Sequence, residues 1–259
     1  MTMKATVCEF SDDPAGLERD WRALSAHVRD AGSQLVVLPE MPFYPWIARS
    51  REVSQRVWLS AVAAHEAWLA RLPELGSAVV VGTRPLATRR HRLNEGFVWT
   101  AGDGYRPVHA KVYLPDEPGF WEASWYDRGP RVFEAVEIAG VRVGFLICTE
   151  LWFNAHARDY AGQGVHVVVC PRATPLSSVD KRIVGGRTAA VVSGAFCLSS
   201  NRSGTGRDGL MWGGAGWMVE PAEGRLLGIT ESARPFLTLD LDLAQAESAK
   251  LTYPRYVAD

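Results

Sequence analysis

The chain has 259 residues, 47% of them hydrophobic and 22% charged, and its 28 Lys and Arg nearly balance 29 Asp and Glu for a net charge of −1. These values describe an ordinary globular chain, give no electrostatic footprint for nucleic acid or an anionic membrane, and allow either one large domain or two small ones. The opening MTMKATVCEF alternates and carries charge, unlike a signal peptide or a membrane span.

Residues 4–10 alternate as a strand, and Asp12-Asp13-Pro14 opens a helix that Gly32 would stop. QLVVL over 34–38 is a short buried strand, and 53–72 has helical spacing with Ala, Leu and Trp on one face. SAVVVG over 77–82 and residues 94–100 follow as strands, with a turn at Ala101-Gly102-Asp103-Gly104. Residues 132–138 and 141–148 flank Ala139-Gly140, a hairpin signal. Beyond them come a helix over 153–163, a strand over 165–170, a helix over 180–192 and a strand over 195–200. The tail, 215–241, is expected to form three short strands separated by turns at Pro221-Ala222-Glu223-Gly224 and near Ser232. No linker, repeat or low-complexity tract interrupts this order, so the expectation is one α/β domain over 1–259 with sheets covered by helices.

Cys8, Cys148, Cys170 and Cys197 form no CxxC pair and lie in or beside strand-like runs, which points to reduced thiols in a cytoplasm rather than a disulfide frame. The six histidines form no metal-binding spacing, and the glycines of GLMWGGAGW and NRSGTGRDG follow no phosphate-loop pattern, so no metal or cofactor is expected. A buried cysteine is more often core filler than nucleophile, so the GFLIC that ends on Cys148 means little alone. Two other runs also deliver a chemically useful side chain: LVVLPE presents Glu40, and VHAKVYLPDE presents Lys111. One acid, one cation and one thiol are what nucleophilic attack needs: a base for the thiol proton and a charge for the oxyanion.

LVVLPEMPFYPW, HAKVYLPDEPGFWE and ICTELWF resemble the segments carrying the Glu-Lys-Cys triad of the nitrilase superfamily, the carbon–nitrogen hydrolases. GFWEASWYDRG resembles the stretch with a second catalytic glutamate, here Glu122, and Cys148-Thr149-Glu150 resembles the Cys-x-acid elbow. GGRTAAVVSGAFCLSSNRSG and GWMVEPAEGRLLG resemble the later helix–strand and strand–turn–strand segments, so the likeness spans nearly the whole chain. The resemblance implies a four-layer αββα sandwich with its site among strand ends, and subunits that pair as a homodimer. The chain ends soon after Tyr253-Pro254-Arg255-Tyr256, so a plain dimer is expected rather than a tail-mediated assembly.

The resemblance also implies a reaction: Glu40 takes the thiol proton, and Cys148 attacks an amide carbonyl. Lys111 and the Thr149 N–H hold the oxyanion, and water activated by Glu40 or Glu122 hydrolyses the thioester. The elbow departs from two branches of the family. Thr149 stands where nitrile-hydrolysing members place Trp, and Leu151-Trp152-Phe153 stands where members acting on N-carbamoyl amino acids place Arg. Tyr44, Trp46, Trp121, Trp125, Trp152 and Trp212 fall on segments expected to ring the site, and aromatic walls suit a primary amide of an uncharged, apolar or aromatic acid. Arg128, Arg172 and Arg202 are expected as solvated loop residues that an acidic substrate would otherwise meet. Three rivals stand beside this reading: a nitrilase or N-carbamoyl amide hydrolase, a papain-like hydrolase using His109 or His156, and a silent small-molecule-binding scaffold.

Overall fold

The computed structural model describes residues 1–76, 78–206 and 209–257. Its first strand, β1 (Thr2–Ser11), leads through Asp13, whose side chain accepts from Gly16 N, into α1 (Pro14–Ala31), which ends on left-handed Gly32. Proline at the first helical position and glycine just past the last are the start and stop the sequence announced. Next come β2 (Leu35–Val37), α2 (Gln55–Leu69), β3 (Val79–Ala87), β4 (Arg92–Thr100), β5 (Gly104–Ala110) and the single turn α3 (Glu122–Trp125). The second half holds β6 (Val136–Ile138), β7 (Val141–Phe145), α4 (Asn154–Gly162), β8 (Val167–Pro171), α5 (Val179–Ser193) and β9 (Phe196–Ser203). The chain finishes with β10 (Trp217–Val219), β11 (Leu226–Ile229), β12 (Phe236–Asp242) and α6 (Leu243–Lys250).

The strands form two curved halves. One has the order β5-β4-β3-β2-β1-β12 and the other β6-β7-β8-β9-β10-β11, and they meet where Glu9–Ser11 of β1 pair with Asn201–Ser203 of β9. Strands β1, β2 and β3 run parallel, as do β7, β8 and β9. Side-chain parity builds the layers, because alternate strand residues face opposite ways. Met3, Ala5, Val7, Leu35 and Val37 meet Val143, Phe145, Val167, Val169, Phe196 and Leu198 in a core between the halves. Cys8, Phe10 and Val36, on the opposite parity, pack against Leu17, Trp21, Leu24 and Val28, one face of α1. On the far side Val168, Cys170 and Cys197 pack under Ala157 and Tyr160 of α4 and Ala189 and Ala190 of α5. The result is the expected helix–sheet–sheet–helix sandwich. Burial on both faces is why the strands read as unbroken apolar runs.

Several boundaries differ from expectation for identifiable reasons. The run 141–148 stops pairing at Phe145↔Val169, and Cys148 opens a turn of 3₁₀ helix, Cys148–Trp152. The expected strand 132–138 shortens to β6, whose three residues complete the hairpin over Ala139 and Gly140, both at positive φ. In α2 the buried face is Trp58, Ala61 and His65, so a histidine joins the expected Ala and Trp while Leu59 is exposed. His65 survives there because its ring bonds Ala61 O and accepts from Phe43 N. The strand expected over 77–82 begins at Val79, and Ser77 lies outside the described residues. Helix α6 was not expected. Asp242 caps it by accepting from Ala244 N, a signal present in DLDLAQAE. Among the described residues no helix is long and apolar enough to cross a membrane.

Candidate active site

Glu40 lies three residues past the end of β2, Lys111 directly after β5, Cys148 three past β7 and Arg172 directly after β8. Pairing makes all these strands run the same way, so the residues gather at the carboxyl edge of the sandwich, where α/β folds bind ligands. Backbone bonds fix each one: Glu40 N donates to Arg172 O at 3.0 Å, and Lys111 N to Asn94 O at 2.9 Å. Gly129 N donates to Lys111 O at 2.9 Å, and a Cβ on Gly129 would stand 2.1 Å from Ala110 O, so only glycine allows this approach. Cys148 (φ +49) and Met41 (φ +50) both occupy the left-handed region, a strained conformation that the surrounding bonds impose.

The side chains close into one buried cluster. Lys111 Nζ donates to Glu40 Oε1 at 2.7 Å and to Glu122 Oε1 and Oε2 at 2.9 and 2.7 Å. Asn94 Nδ2 donates to Glu40 Oε1 at 2.8 Å. Glu40 Oε2 is buried and has no hydrogen-bond partner. Burial alone would lower the Lys111 ammonium, but the charges of Glu122 and Glu40 hold it well above its ordinary value. Burial pushes the Glu122 carboxyl up to about 8, with Lys111 opposing. Burial also pushes the Cys148 thiol up to about 11; Glu40 adds to the rise, while Lys111 and Arg182 oppose it. The thiol therefore feels the charges of all three other groups, and it is protonated at rest rather than poised as a thiolate. A turn of 3₁₀ helix after it does not outweigh the loss of water.

Glu150 answers why an acid ends an apolar run. It is fully buried, and its Oε2 accepts from Ile147 N at 2.8 Å and from His109 Nε2 at 2.9 Å, while its Oε1 accepts from Val112 N at 2.7 Å. One carboxylate thus grips the residue before the thiol and the residue after the lysine.

Cys148, Thr149 and Glu122 line a cavity of about 630 Å³ with Phe120, Trp152 and Phe153, and Arg128, Lys181 and Arg182 supply its cations. Lys111 and Glu40 lie behind this wall, both 0% exposed. The expected aromatic ring is mostly not there: of its six members only Trp152 lines this cavity. Tyr44, Trp46 and Trp125 line a separate cavity of about 610 Å³ beside Asp13, Phe43 and Trp68. Trp212 stacks edge-on to Trp46 and Phe120, and Trp121 lies under the Arg51 guanidinium at 4.1 Å. These rings bury one another beneath the loops, which releases more apolar surface from water than a solvated rim would.

Two arginines also depart from expectation. Arg172 is 0% exposed, donating to Ser199 Oγ, Thr174 Oγ1 and Ala215 O. Arg202 is 1% exposed, pairing with Asp12 and donating to the carbonyls of Glu40, Met41 and Tyr44. Both brace the loops instead of meeting solvent; Arg128 alone is exposed and lines the cavity. His109 is engaged by Glu150, and His156 stacks on Phe133 at 3.6 Å and bonds the Tyr113 hydroxyl, so neither lines the cavity. Sequence reasoning missed Asn94, Arg182 and the anchoring by Glu150. An acid inside an apolar stretch was the available signal for the last. Among the described residues no group of three or more His, Cys, Asp or Glu is placed to hold a metal ion.

A family model described as carbon–nitrogen hydrolase matches residues 8–251. A glutamine-dependent NAD(+) synthetase of Rhodobacter capsulatus is 27% identical over 74% of this chain and 34% of its own length. An (R)-stereoselective amidase of a Pseudomonas species is 32% identical over 68% of this chain and 61% of its own. This chain therefore spans only about a third to three fifths of the length of these relatives. In fold it is similar to the crystal structure of a carbon–nitrogen hydrolase from Helicobacter pylori G27, with TM-score 0.87 and 19% identity over 98% of this chain and 94% of that one.

Proposed function

The chain belongs to the carbon–nitrogen hydrolases, enzymes acting on C–N bonds other than peptide bonds, and from that premise we propose that it hydrolyses a primary amide through a thioester on Cys148, releasing ammonia. The observation that carries the proposal is the open oxygen of Glu40. In a cluster where Lys111 and Asn94 saturate Oε1, Oε2 is left buried and unpartnered, within electrostatic reach of a thiol that is protonated at rest. A buried acceptor without a donor costs about 1–3 kcal/mol, and taking the Sγ proton relieves that cost. Glu40 is therefore the general base, and the thiolate forms as it attacks the carbonyl carbon.

Attack places negative charge on the carbonyl oxygen. Lys111, held cationic by two carboxylates, and the Thr149 N–H, at the start of a helical turn where N–H groups lack internal acceptors, are the donors for it. The proton on Glu40 passes to the departing nitrogen, ammonia leaves, and the acyl group stays on sulfur. Glu122 lines the cavity and, raised to about 8, exchanges protons near neutral pH; its ionised form takes a proton from the water that attacks the thioester, and that proton passes to the departing Sγ as the acid is released. Apolar carbons of the acyl group rest on Phe120, Trp152 and Phe153, a smaller aromatic surface than the sequence promised.

The decisive experiment mixes the protein with a panel of amides, nitriles and N-carbamoyl amino acids, measuring ammonia release and the mass added to the intact chain. Primary amides should turn over fastest, with an acyl adduct mapping to Cys148, and Cys148→Ala should fold normally with neither adduct nor turnover. An alanine variant that keeps turnover, or faster release from nitriles or carbamoyl compounds, overturns the proposal.

A further inference from the structure

The acids around the cavity above Cys148 are more fully partnered than its cations. Three cations, Arg128, Lys181 and Arg182, line it with three acids, Asp116, Glu117 and Glu122. Two of those acids are engaged from outside the wall, Glu122 by Lys111 at 2.7 Å and Asp116 by Arg51 at 3.4 Å.

Arg182 is the informative member. It sits on α5, its Nη1 donates to the carbonyl oxygen of Cys148 at 3.2 Å, and its guanidinium lies over the Trp152 ring at 5.6 Å. No carboxylate among the described residues pairs with it, and its Nε is buried without a hydrogen-bond partner. The two fully buried arginines of the site spend their donors on protein acceptors, Arg172 on Ser199, Thr174 and Ala215 and Arg202 on Asp12 and three carbonyls. A planar cation fixed beside the nucleophile, bonded to no carboxylate and acted on only through space by Glu122, which Lys111 already holds, is matched by a ligand carboxylate.

We infer that the amide substrate carries a carboxylate at its far end, taken by Arg182 with Lys181 and Arg128 at the cavity mouth. This rests on the proposed amide hydrolysis and narrows its substrate class to monoamides of short dicarboxylic acids, departing from the uncharged acid expected from the aromatic residues alone. Trp152, under the guanidinium, serves as its platform.

The test compares kcat/KM for a short dicarboxylic monoamide with that for the neutral alkyl amide of equal chain length. Wild-type protein should favour the monoamide by about tenfold or more, and Arg182→Gln should lower that ratio by about tenfold, the worth of a hydrogen bond to a charged group. Lys181→Gln combined with Arg128→Gln, changes at exposed positions, should lower it less, and added salt should shrink that part of the effect. Wild-type preference for the neutral amide, or an Arg182→Gln that slows both amides equally, overturns the inference; equal slowing would place Arg182 as a support for the Cys148 carbonyl only. Should neither amide turn over, calorimetry on Cys148→Ala separates the two claims. Monoamide binding that Arg182→Gln abolishes would uphold the carboxylate site without the proposed reaction, and no binding would overturn it.

Discussion

Replacing Glu150 by glutamine is the sharpest test of how this site is held. The change preserves size and removes one acceptor oxygen. Three donors now converge on the carboxylate: Ile147 N at 2.8 Å, His109 Nε2 at 2.9 Å and Val112 N at 2.7 Å. His109 can shift its proton to the other nitrogen and become an acceptor, but the two backbone N–H groups cannot. They sit on different oxygens, so whichever way the amide is oriented one buried N–H faces an NH₂. The loss of a hydrogen bond to a charged group, with an orphaned donor, amounts to about 2–4 kcal/mol. For a chain of this size that corresponds to a fall of about 4–16 °C in Tm. Because the same oxygens tie the segment of Lys111 to that of Cys148, turnover should fall further than stability explains, by up to about a hundredfold for a displacement near 1 Å. Thermal unfolding and kcat/KM on one amide suffice, with Glu134→Gln, at an exposed position, as the control. A Glu150→Gln protein that melts within about 2 °C of wild type and keeps its rate would refute the anchoring argument.

Two further outcomes follow from the buried charges. The Glu122 carboxyl rises from 4.5 to about 8 on folding, so between those values the folded state holds a proton that the unfolded state has released. Its contribution to stability is complete below pH 4.5 and is lost as pH climbs through about 8. Urea unfolding from pH 5 to 8 should show wild-type stability declining by up to about 1.4 kcal/mol per pH unit from this group, a component that Glu122→Gln lacks; parallel curves would contradict the assignment. Iodoacetamide should modify Cys148 before Cys8, Cys170 and Cys197, which are 0% exposed and off the cavity, and its rate should keep climbing past pH 9 because burial raises that thiol to about 11. A rate that levels off near neutrality would mean the resting thiol is already a thiolate.

Amino-acid order by itself announced an α/β domain, most of its strands and a set of candidate reactive groups, while the four-layer sandwich came from the family resemblance. Apolar runs buried on two faces declare themselves as strands wherever they fold, and a strand's end sets where the next side chain emerges, so Glu40, Lys111 and Cys148 could be picked from LVVLPE, VHAKVY and GFLIC. Direction and partner choice could not be. A tryptophan is equally apolar on a cavity wall or in a core, and only packing sent Trp46, Trp125 and Trp212 into a cluster of their own while leaving Trp152 on the wall of the cavity that Cys148 lines. An arginine after a strand has the composition of a surface residue. Burial of Arg172 and Arg202 came from loops elsewhere in the chain, whose carbonyls and hydroxyls replace the water they lose. The resting state of the thiol was likewise out of reach, since desolvation and the net effect of Glu40, Lys111 and Arg182 depend on distances between segments that the chain keeps far apart until it folds.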